Sequence, residues 1–166
     1  MTLASDIRGV LIQIQGARLL LPNAAIAEVL SYADPDPVDG APDWLLGRLR
    51  WRGWQVPLVS FARLSGIAGD ERGGLGSKIL VLKALGGDAR LPHFALLTQG
   101  FPRLVTVSRD TLLRSTPGDR ADGEQQDDAG DPAGVRMQVT LKDDAAHIPD
   151  LAVIEEALHG ALAHAA

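Results

Sequence analysis

The chain has 166 residues, 46% hydrophobic and only 4% aromatic, with 18 glycines, 10 prolines and a formal net charge of -5. That length suits one domain or two small lobes sharing a core, and the turn-rich composition suits β structure better than a helical bundle. The acidic balance argues against general phosphate binding, and the lack of cysteine excludes disulfides, thiolate metal sites, iron–sulfur clusters and cysteine nucleophiles.

The first stretch, MTLASDIRGVLIQ, has no basic region leading into a long apolar run. No segment approaches the about 20 apolar residues of a membrane helix. A soluble cytoplasmic protein without membrane insertion is expected. Arg8 to Gln15 alternates Val10, Ile12 and Ile14 against Leu11, Gln13 and Gln15, which is the pattern of a strand. Gly16-Ala17 turns it, and Arg18 to Leu21 returns until Pro22-Asn23. Ala24 to Tyr32 mixes helix and strand preferences; a short turn and then a strand from Ile26 is expected. Asp34 to Pro42 holds three prolines and a glycine and reads as a loop. Asp43-Trp44-Leu45-Leu46 is expected to make one helical turn capped by Asp43.

Gly47 to Ser60, GRLRWRGWQVPLVS, reads as a β-hairpin. Arg48, Arg50 and Arg52 fall on one face, with Leu49 and Trp51 on the other. Arg52-Gly53 makes the turn, where glycine supplies a positive φ. Trp54, Val56 and Leu58 share a face on the way back. All three tryptophans, Trp44, Trp51 and Trp54, lie in or just before this hairpin. Trp51 alternates inward as a core anchor; Trp54 sits at the turn, where tryptophan is a frequent interface hot spot. Pro57 lacks a ladder donor and marks an edge or bulged strand, a place for a partner to dock.

Arg63 to Ser77 is expected to be a mobile glycine-rich loop. Lys78 to Leu85 reads as a buried strand, partnered by His93 to Gln99 after the turn at Gly86-Gly87-Asp88. Gly100 and Pro102 break that partner, and Leu104 to Val107 resumes it. Asp110 to Arg114 is a short element of undefined type. Residues 117–132, PGDRADGEQQDDAGDP, are acidic and nearly free of large apolar side chains, so a disordered insertion is expected. Val135 to Leu141 alternates apolar residues as the last strand. Asp150 then caps a terminal helix with Leu151, Ile154 and Leu158 as its apolar stripe, and Glu155 and Glu156 placed early as the helix dipole prefers. The total is eight or nine short strands and one helix without βαβ alternation, which favours antiparallel barrels.

Tests for chemistry are negative. Gly73 to Lys78 is no phosphate loop, because Ser77 precedes Lys78 and a strand follows. The four histidines are scattered, and His159 and His164 are five apart, off a shared helical face. No Gly-x-Ser-x-Gly elbow is present. No catalytic, cofactor-binding or metal-binding residue is therefore expected. A nucleic-acid reading places single strands on an OB-like barrel through the arginine row with Trp51 and Trp54. The opposite faces of Arg50 and Trp51, and the acidic net charge, oppose it.

An ordered set of segments carries a resemblance. Leu19-Leu20-Leu21-Pro22 is followed by Ile26-Ala27-Glu28-Val29-Leu30, the proline-rich loop from Pro35 to Pro42, Gly47, Arg52-Gly53 and Val56-Pro57-Leu58-Val59. The Leu96-Leu97 strand and Ile148-Pro149-Asp150-Leu151 match more loosely. Together they resemble the CheW-like adaptor domains of bacterial chemosensory systems. The chain departs from that pattern at Arg50, where Asn is usual, at Ser60, where Asp often follows, and at Thr98. It is similar in this to the divergent accessory adaptors, ChpC-like, of type IV pilus systems that control twitching motility.

The resemblance implies a mainly β fold of two SH3-like five-stranded β-barrel lobes with a C-terminal helix. It places about residues 17–77 in the first lobe, and 8–16 with 78–162 in the second, within a single domain of residues 1–166. It implies a non-enzymatic scaffold binding a chemoreceptor cytoplasmic tip and the regulatory domain of a CheA-type histidine kinase. The partner-binding candidates are Arg50, Arg52, Trp54, Pro57, Val29 and Leu30, with Gly53 as the turn residue.

Overall fold

The computed structural model describes residues 7–87, 91–107, 112–114, 135–141 and 144–164. The elements run β1 (Ile7–Ile14), β2 (Ala17–Pro22), a 3-10 turn (Asn23–Ala25), β3 (Ile26–Ser31), β4 (Leu45–Trp51), β5 (Trp54–Val59) and α1 (Phe61–Ser65). They continue with β6 (Lys78–Lys83), β7 (His93–Thr98), β8 (Arg103–Val107), β9 (Leu112–Arg114), β10 (Val135–Leu141), β11 (Asp144–Pro149) and α2 (Leu151–His164). No described helix is long and apolar enough to cross a membrane.

The strands form two sheets. One has six strands in the order β8-β1-β2-β11-β10-β9; the other has five, β3-β6-β7-β5-β4. Both are open, which corrects the expectation of closed five-stranded barrels. The reason lies at the edges. In the five-stranded sheet, β3 slips register between Ile26 and Glu28, and β4 slips between Leu45 and Gly47. Such bulges bend an edge strand and end its pairing. On its outer side β4 meets only an isolated bridge, Asp36 with Arg48. Gly47 makes that close approach possible: at φ 149° it lies so near Asp36 that a Cβ would stand 2.3 Å from the Asp36 carbonyl oxygen.

The sheets also divide the chain differently from the expected lobes. Residues 17–22 stay with β1 in a hairpin, and β6 and β7 belong with β3, β4 and β5. Leu104 to Val107 does not resume β7; β8 crosses to the six-stranded sheet and pairs with β1. β10 is not the last strand, because β11 pairs back on it and makes a parallel contact with β2. The expected acidic insertion at 117–132 lies outside the described residues.

Alternation explains the packing. In β6, Leu80 and Leu82 face the core between the sheets, while Ile79 and Val81 face a second core inside the five-stranded sheet. β1 behaves likewise: Val10, Ile12 and Ile14 join the shared core, and Leu11 joins a third cluster with Leu20, Val107, Val139 and Ala146. Strands buried on both faces read as continuous apolar runs, which is why KILVLKAL stands out. α2 closes the shared core with Leu151, Ile154 and Leu158. Asp150 caps it as expected, accepting from the N–H of Ala152 at 3.1 Å. Glu155, however, is buried at 5% exposure and accepts from the N–H groups of Leu85 and Gly86, so it clamps a turn rather than serving the helix dipole.

Two local expectations change. Asp43 and Trp44 form a turn, but Leu45 and Leu46 already belong to β4. Phe61–Ser65 is a short helix capped by Ser60, whose Oγ accepts from the Arg63 N–H, and ended by Gly66 at φ 78°. The glycine-rich segment after it is anchored rather than loose. Glu71, fully buried, accepts from the Gln15 N–H and the Ser60 hydroxyl, each at 2.7 Å. Arg63 Nε donates to the Glu71 carbonyl at 2.9 Å. These bonds tie the β1–β2 turn of one sheet to α1, which follows β5 of the other.

Candidate functional site

The β4–β5 hairpin forms as read, with Trp51 opposite Trp54, Arg50 opposite Gln55 and Leu49 opposite Val56. Its two turn residues, Arg52 at φ 48° and Gly53 at φ 80°, both have positive φ. That is the primed turn whose twist suits a two-residue hairpin. Arg52 is therefore a turn residue, not the third member of a row with Arg48 and Arg50. Among the described residues it is the one non-glycine with positive φ.

From that position the Arg52 side chain folds back. Its guanidinium carbon lies 4.8 Å from the centre of the Trp51 ring. Its Nη2 lies 3.5 Å from Glu28 Oε2 on β3. Trp51 Nε1 donates to the same Glu28 oxygen at 2.5 Å. Glu28 thus spans the seam between β3 and β4, the two edges of the five-stranded sheet. Side chains make the closure that the backbone ladder does not. Trp51 itself is buried, at 8% exposure, with Leu49, Val56 and Leu58.

His93, at the start of β7, meets the Trp51 ring edge-on at 4.8 Å and 65°. It stands opposite Lys83 in the β6–β7 ladder, and its buried Nδ1 has no hydrogen-bond partner. Burial first, then the positive charges of Arg52 and Lys83, hold the His93 pKa below that of an ordinary histidine.

The other candidates distribute unevenly. Trp54 is 46% exposed at the hairpin tip, on the same face as Trp51. Arg50 is exposed on the opposite face. Val29, next to Glu28, is 38% exposed, whereas Leu30 packs against the second core. Gly53 holds the turn. Pro57 is buried on β5, an interior strand between β4 and β7, which corrects the edge reading. In a two-residue hairpin the Arg48–Pro57 pair falls in the non-hydrogen-bonded register, and the parallel ladder to β7 starts one residue later at Leu58. A proline there costs the ladder to β4 nothing, and it offers no docking edge.

Glu28 and His93 escaped the sequence reading. A lone carboxylate in an otherwise apolar strand was the available signal for Glu28. The departures from the family pattern separate as well. Ser60 and Thr98 are fully buried and bond internally, to Glu71 and to the Gly100 carbonyl. Arg50 is the one of the three that alters the surface.

No group of three or more metal-ligating side chains converges among the described residues. A shallow polar concavity of about 350 Å³ lies beside the hairpin, lined by Asp36, Pro37, Val38, Asp39, Arg48 and Gln55. The nucleic-acid reading is not favoured. Arg50 and the tryptophans occupy opposite faces, and the Trp51 ring is buried, so no charged stacking platform forms.

The pattern of the CheW-like domain family matches residues 8–127. No curated protein matches the chain. Among solved structures, the scaffolding protein TtCheW from Thermoanaerobacter tengcongensis aligns with a TM-score of 0.66 at 16% identity, over 87% of this chain and 84% of that one. At that identity the likeness is one of fold, two SH3-like lobes, each built on one of the two open sheets.

Proposed function

The chain belongs to the CheW-like domain family, and from that premise we propose that it is a non-catalytic chemosensory adaptor, coupling the cytoplasmic tip of a chemoreceptor to the regulatory domain of a CheA-type histidine kinase. The observation that carries this reading is the hairpin tip. Arg52 is 68% exposed yet held in place by Trp51 and Glu28, beside the half-exposed Trp54. Arginine and tryptophan on a rigid scaffold are the side chains that dominate protein–protein contacts. A guanidinium held in one orientation loses less freedom when it forks onto a carboxylate.

In this reading the docking surface consists of Arg50, Arg52, Trp54 and Val29. Leu30 supports it from the second core, and Pro57 has no direct part. The adaptor works in the cytoplasm, where both partners present their relevant domains. The exposed Arg50, in place of the usual Asn, supports an accessory adaptor of the type IV pilus kind acting in twitching motility. Arg52→Ala tests the reading. The variant should keep its circular dichroism spectrum and lose about tenfold in affinity for at least one of the two partner domains, the usual scale of a hot-spot residue. A folded variant that binds both domains normally removes Arg52 from the surface.

A further inference from the structure

We infer that the face of the β4–β5 hairpin opposite Trp54 is a self-complementary contact, on which Arg48 and Arg50 of one copy meet Asp36 and Asp39 of a second copy of this chain. The inference goes beyond the adaptor reading, and its test needs neither partner domain.

The starting point is a set of charges that find no mate within the chain. Arg48 and Arg50 are two residues apart on β4, so they leave the same face about 7 Å from each other, with Gln55 of β5 directly across from Arg50. The loop before β4 brings two carboxylates beside them. Asp36, Pro37, Val38 and Asp39 line the same shallow concavity of about 350 Å³ as Arg48 and Gln55. Asp36 and Arg48 are joined only through their backbones, where each N–H donates to the other's carbonyl, at 2.9 and 2.8 Å. Their side chains form no ion pair, and among the described residues neither Arg50 nor Asp39 has one. The carboxylates are also held in place. Pro35 and Pro37 restrict the backbone on both sides of Asp36, and the bridge to Arg48 ties the loop to the strand. A loop fixed in this way loses little freedom on docking.

The mixture of signs selects the occupant. A polyanion such as a nucleic acid meets Asp36 and Asp39; a polycation meets Arg48 and Arg50. The complementary surface carries both signs in the reciprocal arrangement, which a second copy supplies. About a two-fold axis, residue i of one copy meets residue j of the other and j meets i. Each copy then sets its two guanidiniums against its neighbour's two carboxylates, and every charge of the face is matched. Exposed ion pairs are individually weak and screened by salt. The association is therefore weak, with a dissociation constant on the order of 0.1 mM. Arg50 also belongs to the docking surface proposed above, so a second copy and a partner domain compete for it.

Sedimentation equilibrium of the full-length protein over a concentration series tests this. In dilute buffer the weight-average mass should climb from 17.6 kDa towards twice that value. It should return in about 1 M salt, where the screening length falls to about 3 Å. Arg48→Glu with Arg50→Glu leaves only acidic charges on the face, and Asp36→Lys with Asp39→Lys leaves only basic ones. Each variant alone should lose more than about tenfold in self-association, because like charges then oppose each other. An equimolar mixture of the two should regain it, because an acidic face meets a basic one. Melting temperatures show that the variants are folded. If either is not, Arg48→Gln with Arg50→Gln and Asp36→Asn with Asp39→Asn take their place, and each should weaken self-association. Wild-type protein that stays monomeric throughout overturns the inference. So does self-association that survives either pair of substitutions. Folded charge-reversed variants whose mixture stays monomeric overturn it as well, since a change of net charge then explains their loss.

Discussion

His93 shows how a single side chain links the tip of the hairpin to solution conditions. Its ring packs against Trp51, its Nδ1 is buried without a partner, and Arg52 and Lys83 are the charges that act on it. Burial first, then the positive charges of Arg52 and Lys83, favour the neutral ring, so its folded pKa lies below the unfolded value of about 6.5. Between those two values the unfolded chain binds more protons than the native one. Stability therefore rises with pH through that window and is lost as pH falls from about 6.5 through the folded pKa. The melting temperature should decline on acidification over this range. His93→Gln should flatten that part of the profile; an unchanged slope refutes the assignment. The sequence displayed His93 only as a histidine at the start of a strand. Its setting comes from Trp51, 42 positions earlier, and no local pattern encodes that contact. Glu28 was hidden in the same way, because its partners come from the next strand but reach it across a seam. Arg52 was legible as a turn residue through Gly53, though not its return onto the Trp51 ring.

Elements were legible where one physical signal dominated. β6 announced itself by an apolar run, and the hairpin by alternation around a glycine turn. α1 was hidden because five residues give too little periodicity, although Ser60 before it and Gly66 after it are the two cap residues such a helix requires. Bulges in β3 and β4 were not legible, since either edge reads as a regular strand until its neighbour is known. α2 is the element with the sharpest test. Leu151, Ile154 and Leu158 close the shared core, and Glu155 satisfies two N–H groups of the turn after β6. Burying each of the three side chains is worth about 1.5–3 kcal/mol. A chain ending at Pro149 should therefore lose most of a typical domain's stability of about 5–15 kcal/mol. Its thermal unfolding should become broad or disappear from circular dichroism; an unchanged melting temperature shows that α2 contributes nothing to the core.

For the molecule as a whole, the two sheets are two lobes only in outline. Val10, Ile12, Leu19 and Leu21 from one, and Val59, Leu80, Phe94 and Leu96 from the other, form a single apolar body. Glu71 bonds across the same junction, to Gln15 on one side and Ser60 on the other. Neither sheet can lose the other without exposing this surface. Heat or urea should unfold the protein in one cooperative transition, with tryptophan fluorescence and far-ultraviolet circular dichroism giving coincident midpoints. All three tryptophans lie in or beside the five-stranded sheet, whereas circular dichroism reports both, so two separated midpoints would mean independent lobes. The mainly β class and terminal helix were legible from composition and alternation. The open edges and the allotment of β2, β6 and β7 were not, because sheet membership depends on long-range pairing.

The central strands leave their residues little latitude. In β6 and β7 a new side chain on either face meets a filled interior, so evolutionary drift there is checked from two directions at once. The turn at Arg52-Gly53 and the neighbouring strand edge carry no such double obligation. Substitutions on this rim can therefore change what the surface presents while the two filled interiors beneath it keep their packing.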